Sequence, residues 1–556
     1  MTFRTFRAVA MTAAASFCLS TTSMAALSDK DRCLDGKHKA AGKHVACLVK
    51  TLAASVGEVP DFTRCDDALA DAFAGVEDKY GSQCRTAGDA AGIGARNQSL
   101  VDSLEVLTDP AGAGTREALA CALARLKAAG RRASCGAKAQ SLLIKRDLVA
   151  RDTAVCDSKL AAALAKAEEG GSCIGVVTAE AIATLIDTTF AEIEADLANL
   201  GTEDFANRGR YRAARQTLTF VDTTRPTAAN NGFPSLPERT LVTDIYYPSV
   251  STSTGAPVAE GGPFPVLIRA HGLGGFRTDS TELIRHLAGH GYVVVSPDFP
   301  LSNLNTPGGA TLLDLEAQAG DVSYLISQLE ALDAQAGGAF EGKLDLSRIG
   351  AIGHSLGGAT VFAATYHPTL RDPRIDAVVG LAPFACFYQE AFFDGGATAP
   401  MMILAGDEDM ITGYASNHLA VFGRANAEKY LVTLAGGTHT AFINELFGGG
   451  SNPDEELACP SLLPPGAERP YFPDFGIPED FLGGAAAGVD TTGSTCEPIC
   501  PPPPATYMDW DRQIELASAG TLAMFEREFR GSISADRFIT GRIDDENDDV
   551  TLAYER

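Results

Sequence analysis

The sequence is poor in basic residues and has no long apolar run beyond its first 25 residues. Its 556 residues include 45 Lys and Arg against 71 Asp and Glu, so the formal net charge is -26. Nucleic acids and anionic membranes are bound through basic patches, and we therefore expect neither as a partner. A transmembrane helix needs about 20 consecutive apolar residues, so none is expected in the mature chain.

The first 25 residues have the features of a secretory signal peptide. Residues 1–7 carry two arginines and no acid, and residues 8–19 are apolar but too short to span a bilayer. Ser23-Met24-Ala25 supplies small residues for cleavage. We expect residues 1–25 to be removed and the mature protein to be secreted or periplasmic.

No Cys-x-x-Cys pair occurs in the sequence, which argues against a zinc site of that type. Cys496 and Cys500 are too isolated to form a convincing metal site, so no bound metal is expected. Of the 13 cysteines, Cys18 lies in the signal segment, and the remaining twelve are an even number. Disulfides in an oxidising compartment are the expected use of these cysteines.

Residues 26–200 contain eight of these twelve cysteines, in two sets of four with similar spacing. Lys39-Ala40-Ala41-Gly42-Lys43 in the first set matches Lys127-Ala128-Ala129-Gly130-Arg131 in the second. Apolar residues between the cysteines have helical spacing. We predict a disulfide-rich helical domain over residues 26–200, with two repeats at about 33–84 and 121–173. Two roles are open: attachment to a surface or partner, or a stabilising or spacing module.

From about residue 205 no cysteine occurs before Cys386, and short apolar segments alternate with segments of helical periodicity. This alternation predicts an α/β domain over residues 205–556, with a mostly parallel sheet and helices on both faces. In such sheets the active site lies at the carboxyl ends of the strands. The predicted strands are 241–247, 264–270, 292–296, 349–353, 375–381, 401–405 and 430–434.

One short motif inside this domain indicates nucleophilic catalysis. Gly353-His354-Ser355-Leu356-Gly357 follows a predicted buried strand and precedes a predicted helix. This is the setting of a nucleophile elbow, where a serine sits on a tight strand-to-helix turn. We predict that Ser355 is the nucleophile. A serine hydroxyl needs a general base that is oriented by an acid.

The base and the acid are expected downstream, in the chain order serine, acid, histidine. His439 follows a predicted strand through a short loop and is the predicted base. His418 falls inside an apparent helix, 414–428, and is predicted to be a surface residue. Hydrolases with a nucleophile elbow commonly place the acid three residues after the glycine that ends the strand before the histidine strand. This spacing selects Asp409. Asp407 is the alternative.

Backbone amides are needed to stabilise the oxyanion that forms during acyl transfer. The amide of Leu356, directly after the nucleophile, is one predicted donor. The other is the amide of Leu273, in the glycine-rich segment 271–275 that follows an early strand. His271 precedes the nucleophile in the chain, and we predict that it braces this loop.

Segments 271–277 and 353–361 resemble the platelet-activating-factor acetylhydrolase group, and more loosely dienelactone-hydrolase-like, chlorophyllase and polyester-hydrolysing esterases. The resemblance covers roughly residues 210–530. It implies an α/β-hydrolase fold and a Ser-Asp-His carboxylic ester hydrolase, esterase-like or lipase-like, without metal or organic cofactor. The substrate would be a small-molecule, lipid or polymer ester. The alternatives are an exported binding or adhesive protein whose hydrolase domain is catalytically retired, and a hydrolase of amide, thioester or lactone bonds.

The sequence departs from that pattern in a Gly- and Pro-rich insertion over residues 447–506. It holds Cys459, Cys496 and Cys500; if two of them pair, the third either joins Cys386 or stays free. Two interpretations of the insertion are open: a lid over the pocket, or a surface excursion tied by disulfides. The helix at 508–529 is expected to close the fold.

Overall fold

The structure is a computed structural model that describes residues 28–55, 59–110, 112–146, 153–169, 173–198, 200–446, 454, 458–462, 476–502 and 506–556. The predicted signal peptide lies outside these residues, and so does part of the predicted insertion. The chain divides into two compact units, with the boundary between Leu197 and Ala198. No helix within the described ranges is long and apolar enough to cross a membrane.

The first unit, called here the helical unit, is built from helices that bury a core of Leu, Val, Ile and Ala side chains. Its helices are α1 (Asp29–Ala54), α2 (Thr63–Tyr80), α3 (Ala90–Thr108), α4 (Arg116–Arg146), α5 (Ala154–Glu168) and α6 (Ala179–Ala198). In each set of four cysteines the first pairs with the fourth and the second with the third. The predicted disulfides are therefore confirmed, as Cys33–Cys84, Cys47–Cys65, Cys121–Cys173 and Cys135–Cys156.

The glycine shared by the two repeats lies where α1 and α4 pack against each other. A Cβ atom on Gly42 would overlap the Cβ of Ala137, and one on Gly130 would lie 2.8 Å from Cγ1 of Val49. Gly42 and Gly130 occupy equivalent positions in the two repeats, and so do Val49 and Ala137. The shared motif is therefore explained by a reciprocal close approach of the two helices.

Each repeat also buries two basic side chains, and each of these is paired with an acidic side chain nearer the surface. A buried charged or polar group is stable only with a partner, so each repeat keeps both members of the pair although the basic residue type differs. The first equivalent pairs are Lys37–Glu77 at 2.7 Å and Arg125–Glu168 at 2.6 Å. The second are His44–Asp66 at 2.9 Å and Arg132–Asp157 at 2.7 Å.

The second unit, called here the sheet unit, contains a nine-stranded sheet in the order β1-β2-β4-β3-β5-β6-β7-β8-β9. Strands β3 to β8 run parallel, and β1, β2 and β9 run antiparallel to their neighbours. The strands are β1 (Arg212–Asp222), β2 (Arg239–Ser249), β3 (Phe264–Ala270), β4 (Val293–Asp298), β5 (Leu344–His354), β6 (Ala377–Leu381), β7 (Met401–Gly406), β8 (Lys429–Leu434) and β9 (Val550–Glu555). The predicted α/β fold with a mostly parallel sheet is confirmed.

Helices cover both faces of the sheet, so the central strands are apolar on both sides. Helices α9, α10 and α12 contribute to the core on one face, and α8 and α14 to the core on the other. The helices of this unit are α7 (Thr202–Ala206), α8 (Thr281–Gly289), α9 (Leu315–Ala334), α10 (Leu356–Tyr366), α11 (Glu390–Phe393), α12 (Ala420–Arg424), α13 (Cys459–Leu462), α14 (Trp510–Arg530), α15 (Ile533–Arg537) and α16 (Ile543–Asp545).

Two details of the predicted secondary structure are wrong. The helix expected to close the fold, now α14, is followed by α15, α16 and strand β9, which pairs with β8. Most side chains of β9 are exposed, so its sequence lacks the apolar run that marks a buried strand. The helix expected over 414–428 is a π-helical turn, Ala415–Leu419, followed by the short α12.

Candidate active site

Ser355 lies on the sharp turn between β5 and α10. Its φ of 55° and ψ of -120° are strained for a residue with a Cβ atom. The turn leaves no space for side chains on its glycines. A Cβ on Gly353 would overlap the carbonyl of Gly357, and one on Gly357 would overlap the carbonyl of Ala270. The glycines therefore allow the close backbone approach that presents a partly exposed serine at the end of the central strand.

Asp409 and His439 meet at the carboxyl ends of β7 and β8. His439 Nδ1 donates to Asp409 Oδ2 at 2.9 Å. Both residues are buried: Asp409 is 5% exposed and His439 is 4% exposed. Asp409 Oδ1 also accepts from the backbone amides of Ile411, at 2.8 Å, and Thr412, at 2.7 Å. The Thr412 hydroxyl donates to Asp409 Oδ2 at 2.7 Å. Both oxygens of this carboxylate are therefore held in place.

Asp407, the alternative acid, is exposed and lies in a different environment. Its Oδ1 accepts from the backbone amide of Gly436 at 2.6 Å, which fastens the loop after β7 to the loop after β8. A Cβ on Gly406 would overlap the backbone of Gly437, so the two loops touch at these glycines. The structure brings Asp409, and not Asp407, to the ring of His439.

In this pair, each residue stabilises the charged form of the other and so shifts its pKa. Burial alone would lower the pKa of His439, but the charge of Asp409, the hydrogen bond to it and the charge of Asp454 outweigh burial and raise the pKa. Burial alone would raise the pKa of Asp409, and the charge of His439, the hydrogen bond from it and the Thr412 hydroxyl lower it instead. The arrangement therefore favours an imidazolium facing an ionised carboxylate.

The ring of His439 lies beside the elbow because it packs on His354, the residue before Ser355. The two ring centroids are 4.7 Å apart, and His354 Nε2 donates to the carbonyl of His439 at 3.0 Å. No hydrogen bond joins the Ser355 hydroxyl to His439 or to any other part of the chain that the structure describes. Serine–histidine hydrogen bonds are often long in a substrate-free enzyme and shorten when substrate binds.

The two predicted oxyanion donors flank the serine. Leu356 is the first residue of α10, and Leu273 lies in the loop after β3. A Cβ on Gly272 would lie 3.1 Å from the Cβ of Ser355, so this loop runs beside the elbow. Within the described ranges neither the Leu273 nor the Leu356 amide donates a hydrogen bond to the protein. Both are therefore free to bind a ligand oxygen.

His271 is buried beneath the same loop. Its Nδ1 donates to the carbonyl of Gly272 at 2.8 Å, and its Nε2 accepts from the backbone amide of Phe299 at 3.0 Å. Burial lowers its pKa to about 3, so the ring is neutral at ordinary pH. These contacts hold the loop after β3 against the loop after β4.

Comparison with known proteins agrees with this architecture. The family model for chlorophyllase matches residues 246–393, a range that contains Leu273, Ser355 and Leu356. Chlorophyllase-1 of Arabidopsis thaliana is 31% identical over 183 residues, which are 31% of this chain and 52% of that protein. The chain thus spans about half the length of the curated relative that it matches. The chain has the α/β-hydrolase fold, and both matches support the α/β-hydrolase superfamily. The closer resemblance to the platelet-activating-factor acetylhydrolase group is not confirmed.

In this α/β-hydrolase, His418 is not a surface residue as predicted; it is fully buried. Its Nε2 lies 3.3 Å from the Thr412 hydroxyl, and the same hydroxyl lies 3.0 Å from Nδ1 of His439. Burial lowers its pKa to about 4. The prediction failed because the π-helical turn that carries it packs under the loop after β6, where Asn417 Oδ1 accepts from the amides of Ala385 and Cys386. Helical periodicity gives no signal for that contact.

The cysteines of the insertion bind it to the sheet unit. Cys496 pairs with Cys386 in the loop after β6, and Cys459 pairs with Cys500. Of the two alternatives for the third cysteine, the pairing with Cys386 is therefore observed. No group of three or more His, Cys, Asp or Glu side chains in the described ranges could hold a metal ion.

One buried residue beside His439 was not predicted from the sequence. Asp454, in the insertion, has no solvent exposure. It stands in the polar run Asn452-Pro453-Asp454-Glu455-Glu456, which is typical of a solvated loop, so no local pattern distinguishes it.

Proposed function

We propose that this protein is a carboxylic ester hydrolase that works through an acyl-enzyme formed on Ser355. The observation that carries the proposal is the 2.9 Å hydrogen bond between His439 and Asp409, at the strand ends beside the elbow. Nucleophile, base and acid would come from the ends of β5, β8 and β7. Chain order and placement are those of an α/β-hydrolase catalytic triad.

In the first half-reaction the Ser355 hydroxyl attacks the ester carbonyl carbon, and its proton passes to His439 Nε2. Asp409 holds Nδ1–H and stabilises the imidazolium that forms. The amides of Leu273 and Leu356 donate to the oxyanion, each contributing about 3 kcal/mol of transition-state stabilisation. The tetrahedral intermediate collapses, the C–O bond to the alcohol breaks, and His439 gives its proton to the leaving alkoxide.

In the second half-reaction water replaces the alcohol. His439 takes a proton from the water, the hydroxide attacks the acyl carbon, and the bond to the Ser355 oxygen breaks. His439 returns the proton to that oxygen, which releases the carboxylic acid and restores the free enzyme. No metal or organic cofactor enters this scheme.

The comparisons support an ester hydrolase, because the matching family and the matching relative are both chlorophyllases. A catalytically retired binding protein is not favoured, since the proposed triad residues and oxyanion amides are all present and correctly ordered. The six disulfides support an oxidising compartment, and we propose that the protein is exported. Attachment through residues 26–200 stays a prediction.

A fluorophosphonate probe followed by peptide mapping tests the mechanism. Label is expected on Ser355 alone, and Ser355→Ala should abolish both labelling and turnover of short-chain p-nitrophenyl esters. Ser347→Ala, at an exposed position on β5, is the matched control and should behave as the wild type. Labelling at another serine, or ester turnover retained by Ser355→Ala, would overturn the proposal. A parallel panel of thioester, lactone and amide substrates tests the choice of bond.

A further inference from the structure

Asp454 joins the two loops that carry the proposed acid and base. Its Oδ2 accepts from the backbone amide of His439 at 2.8 Å and from that of Met410 at 3.2 Å. Its Oδ1 accepts from the amide of Thr440 at 2.7 Å and from the Thr440 hydroxyl at 2.6 Å. Met410 directly follows Asp409 in the chain. One carboxylate therefore holds the residue after the proposed acid and the proposed base itself.

A buried carboxylate is stable only if protein groups replace the hydrogen bonds that it made with water, because its transfer out of water is costly. Its four donors are three backbone amides and a hydroxyl, and hydrogen bonds to an ionised acceptor are roughly twice as strong as neutral ones. In return, the carboxylate satisfies three amides at the loop ends of β7 and β8 that have no strand partner. The loops and the insertion depend on each other for hydrogen bonds.

The insertion holds the same loop at a second point. The backbone amide of Cys500 donates to the carbonyl of Met410 at 2.6 Å, so both polar groups of Met410 bond to the insertion. Met410 also packs in a small buried cluster with Cys459, Ile499 and Cys500, which includes the Cys459–Cys500 disulfide. The segment after Asp409 is thus fixed from two sides by a part of the chain that follows β8.

We propose that Asp454 is a positioning residue for the hydrolytic reaction: it sets the spacing between the Asp409 loop and the His439 loop, and the insertion acts as the clamp that carries it. This inference rests on the proposed function. It assigns to the insertion a role in the geometry of the triad, which differs from both a lid and a passive surface excursion.

The position of Asp454 also affects the pKa of the proposed base, His439. Two carboxylates face His439, Asp409 at its ring and Asp454 at its backbone, and both raise its pKa. The other titratable groups around it are His354, whose ring packs on its ring, and His418, which contacts the same Thr412 hydroxyl. Burial keeps both of these histidines neutral. Removing the charge of Asp454 should therefore lower the pKa of His439.

The test compares Asp454→Asn, Asp454→Ala and Asp454→Glu in the full-length protein. Rates are expressed per active site titrated with fluorophosphonate, so unfolded protein does not contribute. For Asn and Ala we expect kcat to fall about 10- to 100-fold with KM nearly unchanged, because small errors in catalytic geometry cost this much. The acid limb of kcat/KM should move to lower pH. Asp454→Glu keeps the charge, so its acid limb of kcat/KM should have a midpoint close to that of the wild type.

Asp407→Asn is the matched control, because it removes a carboxylate charge from the same loop while its Oδ1 can still accept from the Gly436 amide. It should leave kcat and the pH midpoint at wild-type values. Wild-type kcat and pH midpoint in Asp454→Asn and Asp454→Ala would overturn the positioning role, and so would a lower kcat without a pH shift, which indicates a general structural defect. Ester turnover retained by Ser355→Ala would instead overturn the proposed function, so the two failures are distinguishable.

Discussion

The helical unit and the sheet unit differ in how covalent links are used. Four of the six disulfides lie within the first unit, and the other two lie in the insertion or link it to the loop after β6. None joins two strands of the sheet, which has a large apolar cluster on each face. The apolar clusters of the helical unit are smaller, and disulfides add to their stability by constraining the unfolded chain.

The two units also differ in internal symmetry. Three features occur twice in the helical unit: the disulfide pattern, the glycine contact and the buried basic side chains paired with acids. The proposed active site uses each of Ser355, Asp409 and His439 once, on three different loops. A change in the helical unit should therefore affect stability and leave ester turnover intact, whereas a change at the site should do the opposite.

The largest effect is expected at the proposed acid. Asp409→Asn should lower kcat about 10⁴-fold, because the amide cannot stabilise the imidazolium and favours the wrong tautomer of His439. Asp407→Asn should leave kcat within about twofold, since an exposed carboxylate contributes little. Steady-state kinetics and thermal unfolding measure both variants. If Asp407→Asn were the inactive one, the assignment of the acid would be reversed.

The next effect concerns stability of the helical unit. Replacing Cys135 and Cys156 together by Ser opens a loop of 21 residues, and the loss should be about 3 kcal/mol. The chain has one tryptophan, and Trp510 lies in the sheet unit, so its fluorescence reports unfolding of that unit. Urea unfolding followed by far-UV circular dichroism should shift, while the Trp510 transition and ester turnover should not. A loss of turnover would contradict the division between the units.

A smaller effect is expected where α1 meets α4. Gly130→Ala should destabilise the helical unit by about 1–2 kcal/mol, because its Cβ would press on Val49 and overpacking outweighs the gain in helix propensity. Gly75→Ala is the matched control: this glycine lies within α2, is exposed, and has no atom within 4 Å of the Cβ position. It should stabilise the unit by about 1 kcal/mol. If the two substitutions changed stability equally, close packing of α1 and α4 would not explain why both repeats carry this glycine.

The smallest effect is the pH dependence of turnover. His439 must be neutral to accept the serine proton, and its pKa is raised above 6.5. The acid limb of kcat/KM should therefore have its midpoint above pH 6.5, with a loss of about tenfold per pH unit below it, which corresponds to about 1.4 kcal/mol. Initial rates from pH 4 to 9 measure this. A midpoint below pH 6 would contradict an imidazolium stabilised by two carboxylates.

Local patterns were sufficient for part of the fold and the site. Strand β3 could be predicted to the residue because it is buried on both faces and reads as one apolar run. The place of Ser355 on the turn after β5 could be predicted because that turn needs glycines at fixed positions, and the place of Asp409 after β7 because that strand ends at Gly406. These features depend on a few neighbouring residues.

The remaining features depend on contacts between distant segments. His418 is buried by the loop after β6, and Asp454 by the loops after β7 and β8. Their own neighbourhoods in the sequence are typical of a surface helix and a solvated loop. Strand β9 is defined by pairing with β8, and the order of disulfide pairing within each repeat by helix packing, neither of which spacing along the chain determines.

The reciprocal contact between α1 and α4 has the form of an isologous interface. In a two-fold homodimer, residue i of one subunit touches residue j of the other, and j touches i. Gly42 against Ala137 and Gly130 against Val49 obey this rule within a single chain. The helical unit therefore has the contact geometry of a two-fold homodimer within one chain, because each repeat presents its glycine to the equivalent position of the other.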